Sequence, residues 1–589
     1  MPAIRPPSPP PGRATRPPES ADPTPWIRLA TFRRPVAGWR ASLRRTAPTA
    51  SLAAALVVGA PGPVVPSRPP GPAAGDCRIT PDSLLVPPSL ARELRGAWLT
   101  PVDGGEWPSR PGMSDEAQQR ELRAALDRAV AVGLNAVVLH VRPAADAFYP
   151  TGRAPWSGYL VGRGGAPPGY DPLAFAVEEA HRRGIQLHVW FNPFRAAPPD
   201  GAPAEGARIL ARTRPEWLVR YGSQQWVDPG FPEARRAVLD AILEVVERYD
   251  VDAVHLDDYF YPYREERVRR ERVGRGRRRR TVVTRETIPF PDAASWARHG
   301  RAAGFDDRSH WRRENISRFV EALYGEVKAR KPWVLVGISP FGIWRSGYPR
   351  GVTGLDAYGE IYADSRRWLR EGWVDYLAPQ LYWRLDGEQA RFTRLDAWWR
   401  TENPHGRHLW PGLLTMRVTS RQAPWPAAEI PAQIRALRDA RAGSEESQGH
   451  VHFRLAPLLR PAGAALVDGL TASVYAEPAL PPASPWLGAA RPAPPAIQWQ
   501  CAVAPLPGAG DAPPAAPPLE ILPATGDTVS VRWWLVQLQD RAGRWASAVR
   551  PVGDRLVRPV IGDSAAAVVS VTAVSASGVV GLPTVVRLD

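Results

Sequence analysis

Two adjacent carboxylates and four aromatic rings lie within nine residues in His255-Leu-Asp-Asp-Tyr-Phe-Tyr-Pro-Tyr263. The apolar run Val251-Asp-Ala-Val254 leads straight into them. On a strand, alternate side chains share a face, so Val254 and Leu256 point one way and His255 and Asp257 the other. Asp258 follows where the alternation breaks at the strand end. Acids among flat rings suit cleavage of a glycosidic bond, which needs two carboxyl groups and stabilisation of an oxocarbenium-like state. Asp257 is expected to be the nucleophile or base. Its partner is expected from Asp258, if the backbone turns there, or from a loop carboxylate, namely Glu106, Asp146, Glu360 or Asp364, with Glu360 set beside the aspartate pair as a catalytic candidate. The bland alternative is that these acids merely cap helices or turns.

Other segments repeat the pattern. In Ala136-Val-Val-Leu-His-Val-Arg142 the set Val137, Leu139 and Val141 is apolar, leaving His140 and Arg142 opposite. In Ile185-Gln-Leu-His-Val-Trp-Phe-Asn192 the polar or aromatic face is His188, Trp190 and Asn192. Gln380 and Tyr382 share a face in Tyr376-Leu-Ala-Pro-Gln-Leu-Tyr-Trp383, with Trp383 beside them. These residues, with Trp98, Asp146, His255 and Tyr259, are the candidate sugar-binding set. Three inward histidines raise the question of a metal. Inward imidazoles more often bond a neighbour or a substrate, and no metal or cofactor is expected.

Something must hold these strand ends together. Strand-like runs begin at Leu94, Ala136, Ile185, Ala253, Val334, Tyr376, His408 and His450, and helical spacing separates them at 115–132, 171–183, 232–249, 310–330, 363–371, 389–400 and 429–441. Ser114 has the chemistry of an N-cap for the first helix. Strand–helix alternation implies a parallel sheet, and eight units imply a closed (β/α)8 barrel (a TIM barrel) with its chemistry at the carboxyl ends of the strands. An open doubly wound sheet would call for a Gly-rich phosphate loop after the first strand, and none is present.

At 589 residues the chain exceeds one ordinary core. Its 68 prolines gather at the two ends, which marks tails and linkers there. Residues 1–76 are Pro- and Arg-rich and are expected to be disordered. Within them the apolar segment 49–60 follows Arg44-Arg45, the layout of a secretory signal. Export to the periplasm, the cell surface or beyond is therefore expected, with no transmembrane helix in the mature chain. The barrel should occupy 90–478, a Pro-rich linker 479–496, and a small β-sandwich similar to fibronectin type III modules 497–589. Two cysteines, Cys77 and Cys501, exclude a cysteine-based zinc site and allow one bridge in an oxidising compartment. Net charge is +16. Much of it lies in the tail and in an insertion at 264–285, read as a solvated, disordered loop, and no nucleic-acid partner is expected.

Several of these stretches resemble a known family. Leu94-Arg-Gly-Ala-Trp-Leu-Thr100, Trp190-Phe-Asn-Pro-Phe-Arg195, Val227-Asp-Pro-Gly230, Asp257-Asp-Tyr-Phe-Tyr-Pro262, Gly337-Ile-Ser-Pro-Phe-Gly-Ile-Trp344 and Ala378-Pro-Gln-Leu-Tyr-Trp383 are similar, in order, to the bacterial barrels called glycosyl-hydrolase-10-like. The resemblance implies a TIM barrel acting on a cell-envelope polysaccharide such as peptidoglycan glycan. In that family the loop after the position of Tyr263 is short, so the Arg-rich insertion is a departure.

Overall fold

The computed structural model describes residues 79–588 apart from 199, 200, 202, 203, 274–279, 445–447, 501–517 and 563. The tail at 1–76, its signal-like segment and both cysteines lie outside the described residues.

Eight parallel strands form the barrel: Ala91–Leu99, Ala136–Arg142, Gln186–Phe191, Ala253–Leu256, Leu335–Ile338, Tyr376–Leu377, a seventh in two pieces at His408–Leu409 and Gly412–Leu413, and Gln448–His452. Each pairs with its neighbours in chain order. Closure runs through the split strand. His408–Leu409 pairs with the sixth strand and Gly412–Leu413 with the eighth, which then pairs with the first. Helices follow the strands where the spacing placed them. Asp115–Val132 starts at Ser114, whose side chain accepts the Ala117 N–H, and ends at Gly133 with φ +94°. A left-handed residue there closes the last carbonyls of a helix at little strain for glycine.

Trp98, Val138, Trp190, Leu335, Tyr376, Trp410 and Val451 fill the barrel interior. The packing leaves little slack. A Cβ added at Gly337 would lie 1.9 Å from the Tyr376 ring, so only glycine admits that ring to the interior.

The insertion is not irregular. Glu266–Val273 and Arg280–Thr287 form an antiparallel hairpin in continuous register, with every residue of the first strand exposed. Val268, Val273, Val282 and Val283 give both strands β-forming character, which outweighs what the arginine run suggests by itself.

Among its described residues the C-terminal region holds a five-stranded and a three-stranded antiparallel sheet sharing one core of Leu519, Ile521, Trp534, Val536, Val569, Val571 and Val586, with a small two-stranded ribbon beside them. One strand of it comes from the other end of the chain, since Ile79–Pro81 pairs with Val580–Leu588. These sheets sit at the end of the barrel opposite the strand carboxyl ends. Arg532 reaches Asp250 at 2.7 Å and Asp252 at 2.8 Å, just before the fourth strand. The Pro-rich stretch crosses the same end rather than hanging free. Ala479–Leu480 pairs with the start of the first strand, and Trp486 Nε1 donates to Asp375 Oδ1 at 2.8 Å. Among the described residues no helix is long and apolar enough to cross a membrane.

Candidate active site

The fourth strand carries Ala253, His255 and then Asp257 along the inner face, and the chain leaves the sheet after Leu256. Asp257 is half-buried at the mouth, whereas Asp258 is 2% exposed. The Asp258 N–H donates to Asp257 Oδ1 at 3.0 Å, which holds the two neighbouring acids together at the strand end. Gln380 Nε2 donates to the same oxygen at 3.5 Å and to the Ser339 carbonyl at 3.1 Å. Tyr263 OH donates to Asp258 Oδ2.

Burial raises the Asp257 carboxyl above its ordinary range, and the Asp258 and Tyr259 side chains and the Arg195 charge pull it partly back. Asp258 is pushed much higher, first by burial and then by the negative charge of Asp257. Each negative charge disfavours the other, so the pair resists losing its last proton. Arg195 lies over the Tyr259 ring, 4.3 Å from its centroid. Burial also holds the Tyr259 and Tyr382 hydroxyls neutral, helped by the nearby aspartates.

Beneath Asp257 the barrel axis holds a closed hydrogen-bond chain. Trp98 Nε1 donates to His255 Nε2 at 3.1 Å, so Nε2 is the unprotonated nitrogen and Nδ1 carries the hydrogen. That Nδ1–H then donates to Tyr376 OH at 2.9 Å, and Tyr376 OH donates to His188 Nδ1 at 3.1 Å. His188 Nε2 completes the run on Gln186 Oε1 at 3.3 Å. Burial holds both imidazoles neutral, with His188 down to about 4. Trp98, His188 and His255 are thus engaged with one another and with Tyr376 in the interior. His140 stands apart. Its ring stacks on Trp190 at 3.7 Å, Nδ1 bonds Thr100 Oγ1 at 2.9 Å, and Nε2 meets no protein partner. Among the described residues no group of three or more His, Cys, Asp or Glu is arranged to hold a metal ion.

The remaining candidates divide. Trp190 Nε1 donates to Asn192 Oδ1 at 3.1 Å, and Asn192 Nδ2 to the Pro143 carbonyl at 3.2 Å, which fixes the second and third strand ends to each other. Tyr382 packs on Phe453 with centroids 5.5 Å apart, and Trp383 is half-buried against the edge of Phe341. Arg142 departs from strict alternation. The register shifts after His140, so Arg142 pairs with Phe191, whose side lies away from the barrel interior, and its Nη1 donates to the Asp146 carbonyl at 3.2 Å. Asp146 holds that loop through Ser157 Oγ at 2.6 Å and the Ala144 N–H at 3.1 Å.

Glu360 accepts the N–H of Asp356 at 3.1 Å, capping its own helix, and lies 3.6 Å from Arg264. Glu106 pairs with Arg454 at 3.0 Å, and Asp364 accepts Trp344 Nε1 at 3.0 Å. The loop carboxylates therefore have structural partners, and the acid that meets Asp257 is its chain neighbour. Arg195, Tyr263 and Tyr376 were not among the sequence candidates. Tyr376 was legible, because alternate residues of the run Tyr376-Leu-Ala-Pro-Gln380 face inward, although the sixth strand itself ends at Leu377 and Gln380, Tyr382 and Trp383 follow it.

Residues 93–426 match the family described as glycosyl hydrolase-like 10. The chain belongs to that family. Over 406 residues it is 39% identical to the glycosyl hydrolase YngK of Bacillus subtilis (strain 168), covering 67% of this chain and 74% of that one. Over 375 residues it is 33% identical to the glycosyl hydrolase DigH of Escherichia coli (strain K12), covering 58% and 80%. Among solved structures, the PgaB (BpsB) glycoside hydrolase domain from Bordetella bronchiseptica aligns with 64% of this chain and 99% of its own at 13% identity and a TM-score of 0.42. The glycosyl hydrolase-like 10 match spans the first seven barrel strands and stops before the eighth and the C-terminal sheets.

Proposed function

We propose that this glycosyl hydrolase-like 10 chain is an exported glycoside hydrolase that cleaves a cell-envelope polysaccharide built from N-acetylhexosamines, most directly peptidoglycan glycan strands. The observation that carries the reading is the Asp257–Asp258 pair at the carboxyl end of the fourth strand, with Gln380, Tyr259, Tyr263 and Arg195 around it. Export rests on the signal-like layout at 44–60.

The adjacency of the pair in the chain argues for a particular mechanism. A nucleophile and an acid on opposite sides of the bond stand roughly 5 Å apart, and an inverting pair roughly 6.5–9.5 Å. Chain neighbours joined by the Asp258 N–H on Asp257 Oδ1 lie on one side of the bond rather than flanking it. The attacking group must then come from the substrate, and a 2-acetamido group supplies it. Its carbonyl oxygen closes on the anomeric carbon as the aspartate pair gives its proton to the leaving oxygen. The carboxylate of the pair faces the positive charge that develops. In the second step the pair removes a proton from water, which opens the cyclic intermediate with retained configuration. Asp257, the half-buried member, makes the contact with substrate and passes the proton to the leaving oxygen, with buried Asp258 behind it.

The test is reducing-end release from glycan strands stripped of peptide. Asp257→Asn should lower the rate by about 10²–10⁴-fold, the usual contribution of a positioned acid or base, with unchanged melting. Newly released ends should carry the retained anomer by NMR, and strands with the acetamido group removed should resist cleavage. Inverted product would sink the mechanism. No release from any envelope glycan by the parent protein would leave a glycan-binding barrel without turnover.

A further inference from the structure

Beyond the sixth strand the chain stays extended, bridged at Gln380 to Phe341 on one side and to Gly412 on the other. Tyr382 therefore points to the same inward side as the Gln380 amide that reaches Asp257. Its backbone is tied to the seventh strand. Leu381 N–H donates to the Gly412 carbonyl at 3.1 Å, and Gly412 N–H donates to the Pro379 carbonyl at 2.9 Å. Gly412 also decides where two rings go. A Cβ placed on it would lie 3.1 Å from the Trp98 indole and 3.3 Å from the Tyr382 ring, so the bare backbone lets both close in. Phe453, one residue past the eighth strand, packs on both, with centroids 5.8 Å from Trp98 and 5.5 Å from Tyr382.

These contacts set Tyr382 across the mouth from the acids. Asp257 and Asp258 follow the fourth strand, whereas the Tyr382 ring leans on groups from the seventh and eighth, on the far side of the closed sheet. Trp98, 2% exposed, floors the space between, since its Nε1 donates to His255, two residues below Asp257. Tyr382 is half-buried above that floor, and the charges of both aspartates still reach its phenol. Tyr263 and Tyr376 commit their hydroxyls to Asp258 and to the interior imidazoles. The Tyr382 hydroxyl has no hydrogen-bond partner among the described residues. Packing alone would be met by phenylalanine, so the oxygen at this position calls for a partner that enters from the mouth.

We propose that Tyr382 positions the 2-acetamido group of the substrate, its hydroxyl donating to the acetamido carbonyl oxygen while the Trp98 and Phe453 rings cover the acetyl methyl. The inference rests on the glycan-cleaving reading and names the residue that makes it selective for N-acetylated sugars. The carbonyl oxygen must approach the anomeric carbon from the side away from the leaving oxygen, and the acid must stand on the leaving side. Asp257 after the fourth strand and Tyr382 across the mouth meet those two needs. In the step itself the carbonyl oxygen forms its bond to the anomeric carbon, the bond to the leaving oxygen breaks, and that oxygen takes the proton from Asp257. The phenol keeps its own proton throughout. It acts by orientation, holding the attacking oxygen on the line of approach.

Tyr382→Phe keeps the ring contacts and removes one oxygen. On glycan strands stripped of peptide its kcat should fall about 100-fold, the cost of misplacing a reacting atom by about 1 Å. KM should rise no more than about fivefold, as for one neutral hydrogen bond, with the melting temperature unchanged. A second measurement uses the full chain carrying Asp257→Asn, so that turnover does not enter, with chitotetraose as the probe. By NMR an acetyl methyl signal of the bound probe should take up saturation from the protein and move upfield, under the ring currents of Trp98 and Phe453. A fall in kcat of less than about tenfold, a loss confined to KM, or a lowered melting temperature in Tyr382→Phe would overturn the proposal. So would a chitotetraose that does not bind, or one that binds with its methyl signals unmoved. Absence of sugar release by the parent chain would sink the hydrolase reading and leave the chitotetraose result standing, so the two failures are told apart.

Discussion

Tyr376→Phe removes one oxygen from the middle of the interior chain and keeps the ring. The phenol now accepts from His255 Nδ1–H and donates to His188 Nδ1, both fully buried. Phenylalanine keeps the packing against Trp410, 4.8 Å between centroids, so no cavity larger than a hydroxyl results. What is lost is pairing. His255 could turn its hydrogen to Nε2, but Trp98 Nε1–H, 3.1 Å away, would then lose its acceptor. At least one donor and the His188 acceptor are left unsatisfied, and each such buried group costs about 1–3 kcal/mol. The variant should therefore be about 2–6 kcal/mol less stable. The assay is denaturant unfolding, reading the midpoint with an unchanged slope, which separates lost stability from a changed unfolded state. Because His255 lies directly below Asp257 on the same strand face, sugar release should also fall. A loss below about 0.5 kcal/mol, within the range of ordinary surface substitutions, would refute the hydrogen-bond chain as described.

Two further substitutions test the site and the barrel. Asp258→Asn removes the acid pushed furthest above its ordinary value of 3.8. A raised native value contributes stability that is present below that ordinary value and lost as pH rises through the native one. The variant should therefore be more stable than the parent at neutral and alkaline pH and gain nothing near pH 3, by melting across the pH range; the opposite order would refute the coupling. Asp257, losing the Asp258 acid that pulls its carboxyl partly back, should titrate no lower than in the parent, and whatever activity remains should not lose its alkaline limb at a lower pH. Gly337→Ala puts a Cβ 1.9 Å from the Tyr376 ring and should abolish soluble folded protein; normal expression and melting would contradict the interior packing.

Alternating apolar and polar residues in the strands, and helical spacing between them, were enough to read the parallel barrel and the inward face of Asp257. The reason is local, because one strand buried on its outer face leaves no freedom about which side chains point in. The same logic failed at Arg142, where a register shift after His140 turns the side chain outward, and a bulge of this kind is set by the partner strand. It could not show that Glu360 caps its own helix beside Arg264, nor that Asp258 rather than a loop acid meets Asp257. Those outcomes depend on how far each loop reaches after closure. The hairpin at 266–287 lay between the two cases. Its valines and threonines carried a strand signal, and the arginine run beside them suggested disorder.

The chain's own order of residues determined the repeating units, the acids and rings at the fourth strand, and the charge placed after Tyr263, because these follow from side-chain type and a period of two or 3.6. Only the closed structure decided which partners those groups find. Ile79 meets Leu588 across the length of the chain, Arg532 reaches Asp252 under the barrel, and three strands bring Trp98, Tyr376 and His188 to His255. Each such contact joins residues far apart in sequence, and its geometry exists only once the eight strands have curled to a common axis.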